Sequence, residues 1–410
     1  MWARKRIDIG FGELISALVT CAFARNSTEH YARSTAMIAG CFDGLDNPLV
    51  CLSVRSGFDL LLKTASQLHL WPADSEIIFS GPTIPDMLRI AEAHGLKVVG
   101  CDVDWKTLAP CMADLESKIG PRTKAIVVAH LLGAKIDLRP IADLAARHDL
   151  LLIEDCAQSF TGHNDISPHA DASMLSFGAI KTNTAFGGAL ISVRDQRLAT
   201  QMIKAHQDWP VQTKWQYLKK LARYIGVKAI SSWAVAALIR LSFKTLGSTH
   251  DCLVAKMARG FAGPNFFQQI RRRPSAGLVA VLARRLKRFD THLVLQRINR
   301  GELLMRTISD LNEQLLPLGI LATRPTHWVF AVLVTNRNEL VQALWDQGFD
   351  ATTKSSLVRI ENSDTGEADY MRHIVFLPID LPMPERELVR MGRLVAQIGK
   401  SELASKKLTA

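Results

Sequence analysis

From residue 76 to residue 193 the chain alternates short apolar runs with amphipathic segments, and that alternation most narrows the folds open to it. Apolar runs at 76–79, 97–103, 125–129 and 150–153 predict strands. The stretches 84–94, 112–119 and 136–148 predict helices, the first closed by Gly95. A strand buried on both faces reads as one continuous apolar run, and an intervening helix supplies the crossover that parallel neighbours need. The pattern predicts an α/β fold with a large, mainly parallel sheet covered by helices.

The 150–153 run ends in Glu154 and Asp155, which puts a carboxylate at the C-terminal edge of such a sheet. A later run, 174–177, leads to Lys181, with Gly178 and Ala179 before it and Gly187-Gly188 after it. A carboxylate at one strand end and a lysine in a small-residue turn after a later strand suit a pyridoxal phosphate site. The lysine amine forms the Schiff base, and the aspartate keeps the ring nitrogen protonated so that the ring serves as an electron sink. Either residue alone says little, because such an aspartate is usually a turn or cap residue and a lone lysine a solvated charge. Order and spacing together carry the signal.

These residues resemble the DegT/DnrJ/StrS family of sugar aminotransferases, in which a strand ends in E-D-x-A-Q and is followed by S-F-x-x-x-K and a Gly-Gly strand start. Here the motifs read Glu154-Asp155-Cys156-Ala157-Gln158, Ser176-Phe177-Gly178-Ala179-Ile180-Lys181 and Gly187-Gly188. The likeness covers roughly residues 45–205 and 260–400. It implies the aspartate-aminotransferase-like fold type I, a smaller C-terminal α+β domain, pyridoxal 5'-phosphate, and a homodimer with shared active sites. It also implies roles: Lys181 as Schiff-base lysine, Asp155 at the ring nitrogen, Gln158 at the phenolic oxygen, and Ile84 against the ring face. Ser176, Ser56 and the Gly57 N–H would hold the phosphate. Asn265, in Gly263-Pro264-Asn265-Phe266, would reach the phosphate in the partner subunit. The implied reaction is ping-pong, with glutamate or another amino acid as donor and a nucleotide-linked keto-sugar as acceptor. Family dehydratases carry histidine in the lysine's place, so Lys181 favours transamination.

The chain departs from the family at several positions. Phe58 replaces the hydroxyl residue of an S-G-T turn, and Ser80-Gly81-Pro82-Thr83-Ile84 lacks the usual aromatic residue. Gly178 stands where many members have histidine or tyrosine, and Phe186 where they have glutamate. Two further readings follow: the same chemistry on a membrane or lipid-linked keto substrate, or a cofactor-binding homologue without turnover that acts in regulation. His130, at the end of a strand, is expected to be paired locally.

Read from the residues alone, 49–65 is a short strand, a turn at Arg55-Ser56-Gly57, and a helix whose first N–H groups and positive dipole end could seat a phosphate. The expected organisation is an N-terminal arm or helix (1–44), a large cofactor domain (45–265), a linking helix and small domain (266–400), and a tail (401–410). Within the large domain, residues 209–262 form an insertion that has no family counterpart. Its apolar run, 225–243, is flanked by Lys214, Lys219, Lys220, Arg223 and Lys244, with Trp215, Tyr217, Tyr224 and Trp233 nearby. Charges within it argue against a full span. The segment 214–246 then reads either as an in-plane element on anionic lipid or as a hairpin packed on the protein itself or across a dimer interface.

The net charge of +11 and pI near 9.4 imply attraction to polyanions. No recognition motif accompanies Arg271-Arg272-Arg273, so nucleic acid is not expected; those arginines suit a diphosphate, lipid headgroups or a solvated face. Seven scattered cysteines without a C-x-x-C pair point to a reducing compartment and against a metal site. Asp8 and Glu13 interrupt the apolar N-terminus, so a signal peptide is not expected. The location implied is cytoplasmic, with the inner face of a membrane as the alternative for 214–246.

Overall fold

The structure is a computed structural model that describes residues 2, 7–24, 27–72, 74–162, 166–230, 261, 263–360 and 367–400. The chain divides into two units. One comprises Met1–Arg6, Ala65–Met174 and Asp290–Ala410, the other Ile7–Thr64 and Leu175–Phe289.

In the first unit, parallel strands lie side by side in the order Leu151–Asp155, Thr123–Ala129, Glu76–Ser80 and Lys97–Cys101, and Ala172–Met174 pairs along the outer side of the first. Ile77, Ile78, Ile126, Val127, Val128, Leu152 and Ile153 are buried, as their apolar runs predicted. The helix Arg139–Arg147 lays Ile141, Leu144 and Ala145 on Ile78, Ile126 and Leu152. Each fully buried aliphatic side chain contributes about 1.5–3 kcal/mol. That helix begins later than residue 136 because Ala134–Lys135 is a short strand paired with Arg324–Pro325. Pro140 then suits the helix's first turn, where its missing N–H costs nothing. The register sets Ala129 beside Asp155 and Val128 beside Ser80, so the strand ends share one edge.

The C-terminal part of this unit is the expected smaller α+β fold. Leu316–Pro317, Phe330–Leu333 and Ile374–Leu377 form an antiparallel sheet, with Phe330 opposite Leu377. Helices Thr291–Leu311 and Glu385–Ile398 bury Leu304, Ile308, Leu388, Met391 and Val395 in its core.

In the second unit, Leu49–Cys51 pairs antiparallel with Ala189–Val193. Helix Ala276–Lys287 is buried from Ala276 to Ala283 and at Leu286; its charges gather at its last turn. In sequence, 271–290 reads as a basic amphipathic helix that starts in the arginine run. The structure corrects this: the helix starts at Ala276, where the Ser275 hydroxyl accepts the Leu278 N–H (3.3 Å), and its body is core. The N-terminal segment forms the helices Phe11–Phe23 and Thr28–Ala39. The first buries Leu14, Ala17 and Cys21 and exposes Phe11, Ile15, Val19 and Phe23. Gly277 allows close approach there, since a Cβ on it would meet Cys21 Sγ at 2.6 Å.

The insertion begins as helix Lys214–Ile230; residues 231–260 lie outside the described residues, and with them most of the apolar run. Of the two readings of 214–246, packing on the protein itself describes Tyr217 and Tyr224, which are both buried in this unit. Tyr217 donates to Ala185 O (2.8 Å), and Lys214 Nζ donates to the carbonyls of Ala22 and Ala24. Trp215 is 67% exposed. Among the described residues no helix is long and apolar enough to cross a membrane.

Candidate active site

In the second unit, Lys181 sits in a loop closed on itself between Phe177 and Gly188. Phe177 N–H donates to Gly188 O (3.0 Å), the N–H groups of Ala185 and Gly187 both donate to Phe177 O (3.1 Å), and Lys181 N–H donates to Gly178 O (3.0 Å). The Thr184 hydroxyl donates to Gly178 O (2.7 Å) and accepts Phe186 N–H (2.9 Å). Asn183 and Phe186 hold positive φ (56° and 57°), a conformation that costs about 1–3 kcal/mol and persists only where surroundings enforce it. The enforcement comes from Tyr224, stacked on fully buried Phe186, and from Tyr217 on Ala185 O. Asp8 accepts the Asn183 N–H, and Arg285 donates to Thr184 O (3.2 Å) while pairing with Glu13. Asp8 and Glu13, the acids that argued against a signal peptide, thus brace the lysine loop. Only their charge in an apolar stretch hinted at such a role.

Ser176 and Lys181 lie on either side of Gly178. A methyl group on that glycine would sit 3.7 Å from Ser176 Oγ and 3.8 Å from Lys181 Cγ, space that glycine leaves open. Ser56 and Gly57 lie within the helix Val54–Gln67 rather than in a turn before it. Ser56 is buried with its hydroxyl 2.9 Å from Ser53 Oγ, and Gly57 N–H donates to Ser53 O (3.0 Å). Ser53, which sequence reasoning passed over, also accepts the Ser56 N–H and caps the helix start. Asn265 is exposed just before the helix Phe266–Ile270.

In the first unit, Asp155 ends its strand, half-buried, and accepts the Ala157 N–H (2.9 Å). Gln158 Oε1 accepts the N–H of Leu132 (3.0 Å), presented by a tight turn with Leu132 at φ 54°. Gly133 completes that turn at φ 90°, where a Cβ would meet Thr326 Oγ1 at 2.3 Å. Ile84 is half-buried at the start of helix Pro85–Ala93.

His130 is paired locally. Its Nδ1 accepts the Ile136 N–H (3.1 Å), so the ring proton is on Nε2 and points at Glu154 Oε1 (2.9 Å). The other Glu154 oxygen accepts from Ser173 Oγ (2.7 Å) and Ser167 N–H (3.1 Å). Burial opposes ionisation of Glu154, but these donors outweigh it and hold its pKa below the ordinary carboxylate value. His130, Glu154 and Cys156 could be taken for metal ligands. The histidine nitrogens and both carboxylate oxygens are engaged in hydrogen bonds instead. Glu154 thereby fixes the strand end that carries Asp155.

A profile of the DegT/DnrJ/EryC1/StrS aminotransferase family matches residues 49–249. Over those residues the chain is similar to this family. It is 32% identical over 177 residues to the UDP-N-acetyl-3-dehydro-alpha-D-glucosamine 3-aminotransferase of Acidithiobacillus ferrooxidans, covering 40% of this chain and 46% of that protein. It is 32% identical over 168 residues to GDP-perosamine synthase of Caulobacter vibrioides, covering 39% and 43%. The matches span less than half the length of either curated relative. In fold, the aminotransferase TlmJ from Streptoalloteichus hindustanus aligns over 100% of both chains with TM-score 0.69 and 19% identity. Helicobacter pylori PseC, an aminotransferase involved in the biosynthesis of pseudoaminic acid, aligns over 97% of this chain and 99% of its own with TM-score 0.70 and 16% identity. Both likenesses bear on the fold, which is that of these aminotransferases.

Two of the departures from the family now have a physical setting. Phe186 forms the contact by which the helix Lys214–Ile230 grips the lysine loop. Gly178 keeps the space beside Lys181 open. The arginine run is corrected in part. Arg271 forks onto fully buried Asp59 with two bonds of 2.9 Å, and Arg273 donates to Trp209 O (3.0 Å); both serve the unit's own structure.

Proposed function

We propose that the protein is a pyridoxal phosphate-dependent aminotransferase that moves an amino group from an amino acid, with glutamate the donor to test first, to a nucleotide-linked keto-sugar. The observation that carries this reading is the braced loop. A single lysine is held beside Ser176 with the intervening position kept as glycine, on the chain that also ends a parallel strand in Asp155 and holds Gln158 on Leu132. The residues present suit the cofactor: an amine, a carboxylate, an amide, and small hydroxyl residues beside backbone donors.

When bound, pyridoxal phosphate supplies a ring that spreads the charge left when a substrate carbon loses its proton. Lys181 Nζ anchors that group and then carries the proton away from and back to the substrate. Asp155 holds a proton on the ring nitrogen, and Gln158 orients the phenolic oxygen. Ser176 and Ser56 hold the phosphate, the Gly57 N–H being taken up by Ser53 O within the helix, with Asn265 serving the partner subunit of a homodimer. Ile84 packs on the ring by dispersion without aromatic stacking. A phosphate taken by Ser56 displaces its present contact with Ser53.

The test is an absorbance spectrum of the purified protein with pyridoxal phosphate, before and after glutamate, beside Lys181→Ala. A near-visible band that glutamate shifts to shorter wavelength only when Lys181 is present supports the reading. A wild-type protein that takes up no cofactor overturns it.

A further inference from the structure

Residues 7–13 reach the lysine loop from outside residues 49–249, over which the chain is similar to the aminotransferase family. They are seated in the second unit by contacts of their own. Ile9 is buried, and Lys228 Nζ donates to Ile7 O (3.4 Å). Arg285 donates to Asp8 O (2.7 Å) and pairs with Glu13, whose other oxygen accepts the Gly10 N–H (2.9 Å). One arginine thus holds the segment at Asp8 and at Glu13. The Asp8 backbone is fixed independently of its side chain.

That side chain is spent on the loop. Asp8 Oδ2 accepts the N–H of Asn183, a buried residue two positions after Lys181. Lys181 N–H returns to Gly178 O (3.0 Å), and Asn183 holds φ 56°, so the lysine stands on a tight turn that ends in a left-handed residue. Such a residue persists only where its surroundings enforce it. A carboxylate on a backbone N–H makes one of the stronger hydrogen bonds and serves as that enforcement. Arg285, donating to Thr184 O (3.2 Å) from the same side chain that holds Asp8 O, ties the segment and the turn into one assembly.

We propose that Asp8 is a positioning residue for Lys181: by holding the Asn183 N–H it fixes the turn that presents the lysine amine, so that residues 7–13 govern how fast the lysine reacts. The inference rests on the aminotransferase reading of Lys181. It adds to that reading a control from a segment ahead of the family-like stretch.

Asp8→Ala removes the Asn183 contact and leaves the carbonyl that Arg285 holds. Asp195→Ala is its control, taking the same kind of bond, a carboxylate on the Leu198 N–H, from a helix start elsewhere in the unit. In the full chain loaded with pyridoxal phosphate, stopped-flow absorbance follows the rate at which glutamate removes the near-visible band. That rate falls about tenfold or more in Asp8→Ala, while the glutamate concentration giving half-maximal rate changes less than about twofold. Asp8→Asn keeps an oxygen acceptor and recovers most of the rate; Asp195→Ala stays within about twofold of the wild type. In the cofactor-free chain, amide exchange within 181–184 quickens in Asp8→Ala and not in Asp195→Ala. Unchanged exchange in Asp8→Ala, a rate within about twofold of the wild type, or equal slowing by the two alanine variants overturns the proposal. A wild type that takes up no cofactor overturns the aminotransferase reading instead, and the exchange then decides the Asp8 contact by itself.

Discussion

The ring of Tyr224 stacks on that of Phe186, centroids 4.7 Å apart and planes 22° from parallel. The contact joins the helix Lys214–Ile230 to the loop that carries Lys181. Tyr224→Ala removes a buried ring and the clamp on a residue at positive φ, and should cost about 3 kcal/mol. Denaturant unfolding measures the loss, and amide exchange should quicken within residues 178–188. Unchanged exchange there would show that the helix does not brace the loop.

Glu154→Gln should destabilise the protein by about 2–3 kcal/mol, although it is isosteric. One end of Glu154 faces the Nε2–H of His130 and the other the N–H of Ser167, so either orientation of the amide sets donor against donor. The depressed Glu154 pKa gives stability that is present above the ordinary carboxylate value and is lost as pH falls through the lower folded value. The variant should lose that part of the acid slope in urea titrations at several pH values.

Arg271→Met should cost about 3 kcal/mol by leaving the Asp59 carboxylate buried without its fork. Arg271→Lys restores the charge without the paired geometry and should recover only part of the loss. Chemical denaturation of the two variants tests the ordering; equal stability of Met and Lys would refute it.

Acid sensitivity should trace in part to His327, whose pKa is lowered to about 4 by burial and then by the Arg297 guanidinium. The unfolded chain binds the proton near pH 6.5 and the folded chain only near 4. The neutral ring's stabilisation is therefore complete above 6.5 and declines as pH falls across that window, by about 3 kcal/mol in total. His206, buried beside Arg273, shifts the same way. A thermal-stability profile between pH 7 and 4.5 should be flatter in His327→Gln; an unchanged slope would remove His327 from the account.

The parallel strands were legible because each is a continuous apolar run, and burial on both faces leaves such a run few alternatives. The stretch 385–398 reads in sequence as a helix, and the structure has it as Glu385–Ile398 because its period and its Pro384 start agree. The phosphate turn did not match. Arg55, Ser56 and Gly57 entered the helix because Ser53 supplied the cap, and a serine two residues after a strand looks like any loop residue. The basic helix was misjudged because charge density in 271–288 masked an apolar body that other helices cover. The tyrosines of 214–246 stayed open between two readings for a related reason: an aromatic residue near basic ones fits a lipid interface or a core equally well, and only its neighbours decide.

By itself the sequence determined the α/β class, the strand that delivers Asp155, the lysine that follows Ser176, and the likeness to the family. These depend on local pattern and on fixed spacing along one chain. Tertiary structure decided what surrounds them: that Asp8, Glu13 and Arg285 brace the lysine loop, and that Phe186 stacks on Tyr224. Residues 8 and 183, or 186 and 224, meet only after the chain has folded back on itself. Hydrogen bonding and stacking at such separations leave no periodic trace in the sequence to read.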